Sequence, residues 1–288
     1  MIISHIIGGL GNQMFQYAAG RAFADSRNTQ LKLDLSDMAG YQLRSYALDQ
    51  FAIRAEIADP TEIPARKPKG LKAKLGQLRG RHKSQTVRYV EPSLRFDPEV
   101  RQLPEPVHLT GYFQSERYFN DFAAEIRRDF ALAQPFTAER QQVFDAIRTA
   151  SKPVSVHVRR GDYVSNAHAN SVHGTCEPAW YDMAIAQMVE SLPNATFFLF
   201  SDDPQWAKDN IAFPRAVTLV EPGSDGRDAQ DMQLMAACHS HIVANSSFSW
   251  WGAWLNPNPE KRVIAPKQWF RSKEMDATDL VPESWKRV

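Results

Sequence analysis

The chain of 288 residues is long enough for two ordinary domains or one large α/β domain, and its 43% hydrophobic and 23% charged residues exclude a disordered protein. Its 34 basic and 33 acidic residues give a net charge of +1, which favours no class of charged partner. Two cysteines without Cys-x-x-Cys or Cys/His metal spacing argue against a disulfide framework and a structural zinc site.

The N-terminal sequence predicts no targeting segment, because it lacks a charged n-region and reaches its glycines too soon for a signal peptide. No apolar run approaches the roughly 18 residues that would cross a bilayer. We therefore expect a cytoplasmic protein that can also lie at the inner face of the membrane.

The first half of the chain opens with a strand–loop–helix–strand unit of the parallel α/β kind. Its predicted elements are a strand at 2–7, a glycine loop at 8–11, a helix at 12–26 and a strand at 30–35. After them come an extended segment at 107–111 and helices at 115–130 and 137–150.

The glycine loop lies where a nucleotide-binding loop would lie. A dinucleotide fingerprint that starts at Gly9 requires glycine at position 14, and the chain has Met14 and no Walker lysine. An NAD-dependent oxidoreductase is therefore disfavoured. Two interpretations remain: a purely structural turn, or a loop in which Gly9 and Gly11 let backbone N–H groups approach a ligand, with Asn12 and Gln13 as donors.

The segment 66–88 contains nine lysines and arginines and no acidic residue. Leu71, Leu75 and Leu78 have helical spacing within it, which fits a basic amphipathic helix on an anionic membrane surface. A solvated insertion explains the segment equally well. Few aromatic residues and no recognisable module argue against nucleic acid as a partner.

The second half predicts an alternating series of strands and helices. The strands are expected at 153–158, 196–201, 216–220, 241–244 and 262–265, and the helices at 178–192, 228–238 and 247–255. This alternation is typical of a parallel sheet covered on both faces. We predict two doubly wound domains, 1–150 and 151–288, with a ligand cleft at the carboxyl ends of their strands.

Charged side chains follow the first strand of the second half, in the sequence His157-Val158-Arg159-Arg160-Gly161-Asp162-Tyr163. Two adjacent guanidinium groups need an anionic partner, and arginine can bind a diphosphate in a bidentate manner. Strand alternation would turn Arg159 and Arg160 to opposite sides, so that one could be structural. Asp162 is either their ion-pair partner or a general base.

Polar residues follow two later strands, at Ser201-Asp202-Asp203 and at Asn245-Ser246-Ser247. The two serines would cap the next helix, where hydroxyl and N–H groups suit a phosphate, although plain capping is also common.

The three tryptophans at 250, 251 and 254 are expected in the core and the domain interface. The chain contains no Asp-x-Asp, so arginine would have to do the work of a metal ion on a departing pyrophosphate.

Four motifs in order, GGLGNQMFQYA, HVRRGDY, SDD and NSSFSWWGAWL, resemble the bacterial α-1,2-fucosyltransferases of glycosyltransferase family 11. The resemblance covers positions 8–266 but not the basic segment. It implies a GT-B fold of two Rossmann-like domains, GDP-β-L-fucose as donor, a galactoside acceptor in an O-antigen or similar glycan, inversion, and no metal or other cofactor.

The resemblance also implies the roles of individual residues. Arg159 and Arg160 would hold the diphosphate, Asp231 would read the guanine edge, and Asn12 would face the donor. The other residues implied at the donor site are Gly9, Gly11, His157, Asp202, Asn245, Ser246, Ser247 and Phe248. A glutamate base of related enzymes has no counterpart at 166–168, so the base is open, with Asp162 as first choice and His168 as second.

Three alternatives to fucosyl transfer stay open. The first is a GT-B glycosyltransferase that uses another nucleotide sugar. The others belong to different classes: an NAD-dependent oxidoreductase, and a protein that binds glycans without catalysis.

Overall fold

The computed structural model describes residues 1–40, 44–65, 86–222 and 228–288. The basic segment 66–88 lies outside the described residues except for its last three positions, so its contact with a membrane stays a prediction. None of the described helices is long and apolar enough to cross a membrane.

The first sheet has five parallel strands in the order β3-β2-β1-β5-β4. The strands are β1 (Ile2–His5), β2 (Leu31–Asp34), β3 (Glu56–Ile57), β4 (Val87–Val90) and β5 (Val107–Thr110). The helix α1 (Leu10–Asp25) connects β1 to β2, as predicted. The edge strands β3 and β4 were not expected from the sequence.

Two helices, α2 (Ala123–Asp129) and α3 (Ala138–Thr149), lead from this sheet to the second one. The helix predicted at 115–130 begins instead with two short turns, Glu116–Tyr118 and Asn120–Phe122. Thr137 caps α3, since its side chain accepts from the N–H of Arg140. The domain boundary near 150 stays a prediction.

The second sheet has six parallel strands in the order β11-β10-β9-β6-β7-β8, which is the order of a doubly wound dinucleotide-binding sheet. Its strands are β6 (Pro153–Val158), β7 (Thr196–Ser201), β8 (Val217–Val220), β9 (Ser240–Ile242), β10 (Val263–Ala265) and β11 (Lys286–Arg287). The helices among them are α4 (Gly161–Ser165), α5 (Ala167–His173), α6 (Pro178–Ser191), α7 (Pro204–Asn210), α8 (Asp228–Ala236) and α9 (Ser247–Leu255). The predicted class, α/β with two parallel sheets, is confirmed.

Each sheet has a point where the strand order reverses direction, between β1 and β5 in the first and between β6 and β9 in the second. Loops leave such a point on opposite faces of the sheet and open a crevice at the carboxyl ends of the strands. The glycine loop follows β1, and the arginine pair follows β6. The two reversal points therefore account for the position of both motifs.

The two halves share one hydrophobic core, centred on the contact between α1 and α9. The Phe15 ring lies 4.5 Å from that of Trp250 and 4.9 Å from that of Trp251, and all three are fully buried. The indole of Trp251 also donates to the carbonyl of Gly11 at 2.9 Å. The expectation that the tryptophans form core and interface is confirmed.

Candidate active site

A cleft of about 570 Å³ lies between the two strand reversal points. Residues of both halves line it. From the first half these include Gly8, Gly9, Gly11, Asn12, Arg44, Tyr112 and Gln114, and from the second Arg159, Asp162, Tyr163, His173, Asp228, Ser246, Ser247, Phe248 and Phe270. Eight of the predicted site residues are thus brought together.

The glycine loop forms one wall of the cleft. Gly8 has φ of +91°, a conformation that favours glycine. Gln13 is turned inward and fully buried, where its Nε2 donates to the carbonyls of Gly8 and Ser45. Of the two expected donors, only Asn12 lines the cleft, and its Oδ1 accepts from Gln114 Nε2 at 2.8 Å.

The two adjacent arginines point to different places. Arg159 lines the cleft and pairs with Asp202 at 2.8 Å and with Asp162. Arg160 does not line it: its Nε lies 3.1 Å from Asp203, and its guanidinium is 3.8 Å from the centroid of the Trp206 ring. The structure therefore divides the predicted pair into one cleft residue and one residue that holds α7 against the sheet.

Asp162 forms ion pairs with two guanidinium groups, one from each half of the chain. Arg159 pairs with its Oδ1, and Arg44 lies 3.2 Å from its Oδ2. The carboxyl is 43% exposed, so its ion pairs are screened by water. His168, the second candidate base, is exposed on α5 and does not line the cleft.

The first turn of α9 faces the same cleft. Ser246 lies at the N-terminus of the helix, and its hydroxyl accepts from the N–H of Phe248 at 3.3 Å. The serine thus has the capping role that was weighed against phosphate binding. The free N–H groups and dipole of a helix start still favour an anion in front of it.

Four other predicted donor residues are not among the residues that line the cleft. Asp202 holds Arg159 and accepts from the N–H of Arg160 at 2.8 Å, so it positions the arginine loop. The amide of Asn245 donates to three carbonyls, those of His173, Gly174 and Trp269. Neither side chain is arranged to contact a ligand in the cleft.

The other two are His157 and Asp231. His157 is buried beside Phe248, and burial, with Arg159 nearby, lowers its pKa to about 3, so that the ring is neutral. Asp231 lies 2.7 Å from Arg140 and does not line the cleft, whereas Asp228 on the same helix does. Because 223–227 lie outside the described residues, the guanine-reading role of Asp231 stays a prediction.

Several residues that line the cleft belong to none of the sequence motifs and were not predicted. Arg44, Tyr112 and Gln114 come from loops of the first half. His173 stacks on Tyr163 with ring centroids 4.6 Å apart and makes an aromatic wall in the second half. The position of Tyr112 and Gln114 just after β5 would have indicated them, had the neighbour of β1 been known.

The described residues contain no group of three or more His, Cys, Asp or Glu side chains that could hold a metal ion. The charged groups that line the cleft in the described ranges include Arg44, Arg159, Asp162 and Asp228. What this arrangement can do chemically is bind an anion between a guanidinium group and a helix start.

A model of glycosyl transferase family 11 matches residues 94–287. Alpha-1,2-colitosyltransferase of Escherichia coli is 36% identical over 100% of this chain and 99% of that protein. O-antigen biosynthesis glycosyltransferase WbnK of E. coli is 28% identical over 98% of each chain. Galactoside alpha-(1,2)-fucosyltransferase 2 of Bos taurus is 31% identical over 55% of this chain and 48% of that protein.

Among solved structures, a mutant of Arabidopsis thaliana FUT1 in complex with GDP aligns with a TM-score of 0.56, covering 99% of this chain and 75% of that one at 12% identity. At that identity the likeness concerns the fold. Together with the two parallel sheets it makes the architecture GT-B, as the resemblance implied.

Proposed function

Because the chain belongs to glycosyl transferase family 11, we propose that it moves L-fucose from GDP-β-L-fucose to the 2-hydroxyl of a galactoside in an O-antigen or similar glycan. The observation that carries this proposal is Arg159, which lines the cleft together with the first turn of α9. A guanidinium group and a helix start are both suited to a diphosphate.

The proposed chemistry is a direct displacement with inversion. The acceptor hydroxyl attacks the anomeric carbon while GDP leaves from the opposite face. Negative charge that grows on the pyrophosphate is met by Arg159 and by the N–H groups that begin α9, without a metal. Since Asp162 and Asp202 hold Arg159 in this structure, the pyrophosphate competes with these carboxylates for it.

Asp162 is the first candidate for the general base, because it lines the cleft and is 43% exposed. A base must come within hydrogen-bonding reach of the hydroxyl that it deprotonates. In this role Asp162 would have to release Arg44 or Arg159 as the acceptor enters. His168 is the weaker candidate, since it lies outside the cleft lining.

A second donor has a specific observation in its favour. The relative named as an alpha-1,2-colitosyltransferase is 36% identical over the whole of this chain. Colitose is L-fucose without its 3-hydroxyl, so a pocket that accepts one sugar differs by a single hydrogen-bonding position from a pocket that accepts the other. Other nucleotide sugars are the next alternative.

The deciding experiment incubates the protein with GDP-fucose, GDP-colitose, GDP-mannose and UDP-galactose, each with a panel of β-galactosides. NMR of any product gives the linkage and its anomeric configuration. We expect an α-1,2-linked fucosyl product. Transfer from GDP-colitose alone would show that colitose, and not fucose, is the sugar transferred. Transfer from UDP-galactose alone would overturn the proposal.

The family match leaves the oxidoreductase alternative without support. A protein that binds glycans without catalysis would bind the β-galactosides in the same assay and release no GDP. The GDP measurement therefore separates this alternative from transfer.

We also propose that the protein works in the cytoplasm, with the basic segment 66–88 on the anionic inner face of the membrane. Cosedimentation with vesicles of phosphatidylglycerol, but not with vesicles of phosphatidylcholine, would support this placement. Equal recovery with both lipids would contradict it.

A further inference from the structure

The loop 111–114 follows β5 at the strand reversal point of the first sheet and has an unusual backbone. Phe113 has φ of +53°, in the left-handed region that aromatic residues rarely adopt. Its side chain is buried, with its ring 5.3 Å from that of Tyr118 and 6.3 Å from that of Tyr89. Strained conformations of this kind persist where the surroundings hold them, and they cluster at ligand sites.

A carboxylate fixes this loop from the neighbouring strand. Glu91, which follows β4, accepts from the N–H of Tyr112 at 2.6 Å and from the N–H of Phe113 at 3.0 Å. Gly111 permits the approach, because a Cβ there would lie 2.4 Å from the Cβ of Glu91. Burial raises the pKa of Glu91, and none of the basic side chains in the described ranges forms an ion pair with it. The carboxylate thus serves to shape the loop.

The fixed loop presents two side chains to the cleft. Tyr112 lines the cleft with 41% of its surface exposed, a large fraction for an aromatic residue. Gln114 is mostly buried and donates to Asn12, so the two amides form a hydrogen-bonded pair. These three side chains form the part of the cleft wall that comes from the first half of the chain, whereas Arg159 and the start of α9 come from the second half.

The chemistry of Tyr112 and the amide pair differs from that of Arg159 and the start of α9. An aromatic ring and two neutral amides suit a neutral pyranose, whose apolar face packs on the ring and whose hydroxyls bond to amides. Arginine and a helix start suit the diphosphate. Tyr112 and the amide pair thus suit one reactant and Arg159 with the helix start suits the other, although Arg44 also lines the first-half side and Tyr163 and His173 add aromatic rings to the second.

We propose that Tyr112, held in place by Glu91, stacks on the sugar that receives the transferred residue, while the Gln114 amide, which is positioned by its hydrogen bond to Asn12, bonds to the hydroxyls of that sugar. This inference rests on the proposed function and adds the residues that select the acceptor. Tyr112 contacts the substrate, and Glu91 is a positioning residue.

The test compares Tyr112→Ala with Tyr112→Phe in the full chain. We expect Tyr112→Ala to raise the acceptor KM about tenfold or more, and Tyr112→Phe to stay within about threefold of the wild type, because phenylalanine keeps the ring face. The affinity for GDP, measured by calorimetry, should change less than about twofold in both. Met183→Ala is the matched control, since Met183 is 42% exposed on α6, away from the cleft.

The positioning role has its own readout. Glu91→Gln keeps one acceptor oxygen and should raise the acceptor KM less than Glu91→Ala does, while GDP affinity stays unchanged in both. A purely structural role would instead lower the melting temperature of both variants and leave the acceptor KM unchanged.

Three outcomes would overturn the inference. An unchanged acceptor KM in Tyr112→Ala, with GDP binding intact, would contradict the acceptor role of Tyr112 and leave the proposed function standing. Weaker GDP binding in that variant would assign the ring to the donor. A wild-type protein that binds no GDP and releases none from GDP-fucose or GDP-colitose would remove the proposed function, and the inference with it.

Discussion

Arg159 and Arg160 are adjacent in sequence but have different surroundings. Arg159 reaches the cleft, where two carboxylates hold it, whereas Arg160 is paired with Asp203 and packed on Trp206. Adjacent residues at the end of a strand point to opposite sides. The expectation that both arginines hold the diphosphate can therefore be tested by comparing an alanine variant of each.

We expect Arg159→Ala to lower kcat about 10²–10³-fold, equal to the loss of about 2.7–4 kcal/mol of transition-state stabilisation. Arg160→Ala should lower the melting temperature and lower kcat much less, because its partners lie outside the cleft. Steady-state kinetics and thermal melts of both variants give the answer. A loss of kcat confined to Arg160→Ala would show that Arg160 turns into the cleft when the donor binds.

Histidines that are buried in the neutral form make the stability of the protein dependent on pH. The pKa of His157 falls from 6.5 to about 3 on folding, mainly through burial. Well above pH 6.5 neither state binds the proton, so the full stability is present. As the pH falls below 6.5, the unfolded chain binds the proton first and the stability is lost progressively.

We expect the free energy of unfolding in urea to decrease between pH 7 and pH 5, and to decrease less in His157→Asn. Some dependence should remain, because His241 is also buried and burial lowers its pKa. An equal decrease in the variant and the wild type would contradict this assignment.

At the level of elements, the helices α1 and α9 begin in contact with each other. A Cβ at Gly11 would lie 2.6 Å from the carbonyl carbon of Ser247, and backbone atoms cannot move aside as a flexible side chain can. Both the glycine loop and the proposed phosphate site at Ser246 depend on this approach.

Gly11→Ala should therefore lower the free energy of unfolding by about 1–3 kcal/mol, as expected for overpacking, and weaken GDP binding. Gly40→Ala is the control, because a Cβ at Gly40 would meet no atom of the described residues within 4 Å. Urea titration and calorimetry measure the two effects. If Gly11→Ala behaves like Gly40→Ala, then the helices have room to separate.

The sequence was informative where a pattern is local. Apolar runs and turn residues predicted β6 to β10, but not the two-residue edge strand β11, and the strand ends indicated Arg159 and the first turn of α9. The edge strands β3 and β4 were not predicted, because β3 has only two residues and the side chains of both strands are exposed or half-buried. Short exposed strands lack the hydrophobic signal that identifies central ones.

The orientation of side chains could not be predicted in the same way. Whether Asn245 contacts a ligand depends on three carbonyls, two of them about 70 residues earlier in the chain and the third in the loop of Trp269. Arg44 and Tyr112 reach the cleft from loops that carry no motif. Such placements follow from tertiary contacts rather than from local spacing.

At the level of the whole molecule, arginine takes the place of a cation in the proposed reaction. We therefore expect the transfer rate to be unchanged by EDTA, because Arg159 and the start of α9 supply the positive potential. The rate is measured with and without chelator and after adding back magnesium. Loss of activity that magnesium restores would overturn the metal-free mechanism.

The aromatic packing of Phe15 against Trp250 and Trp251 limits how the enzyme can exchange its substrates. Rotation of one half against the other would have to pull phenyl and indole rings apart and wet them. A wide hinge opening between turnovers is therefore unfavourable. Entry and departure instead depend on local rearrangement of side chains such as Arg44 and Asp162, whose exposed ion pair joins the two halves of the chain.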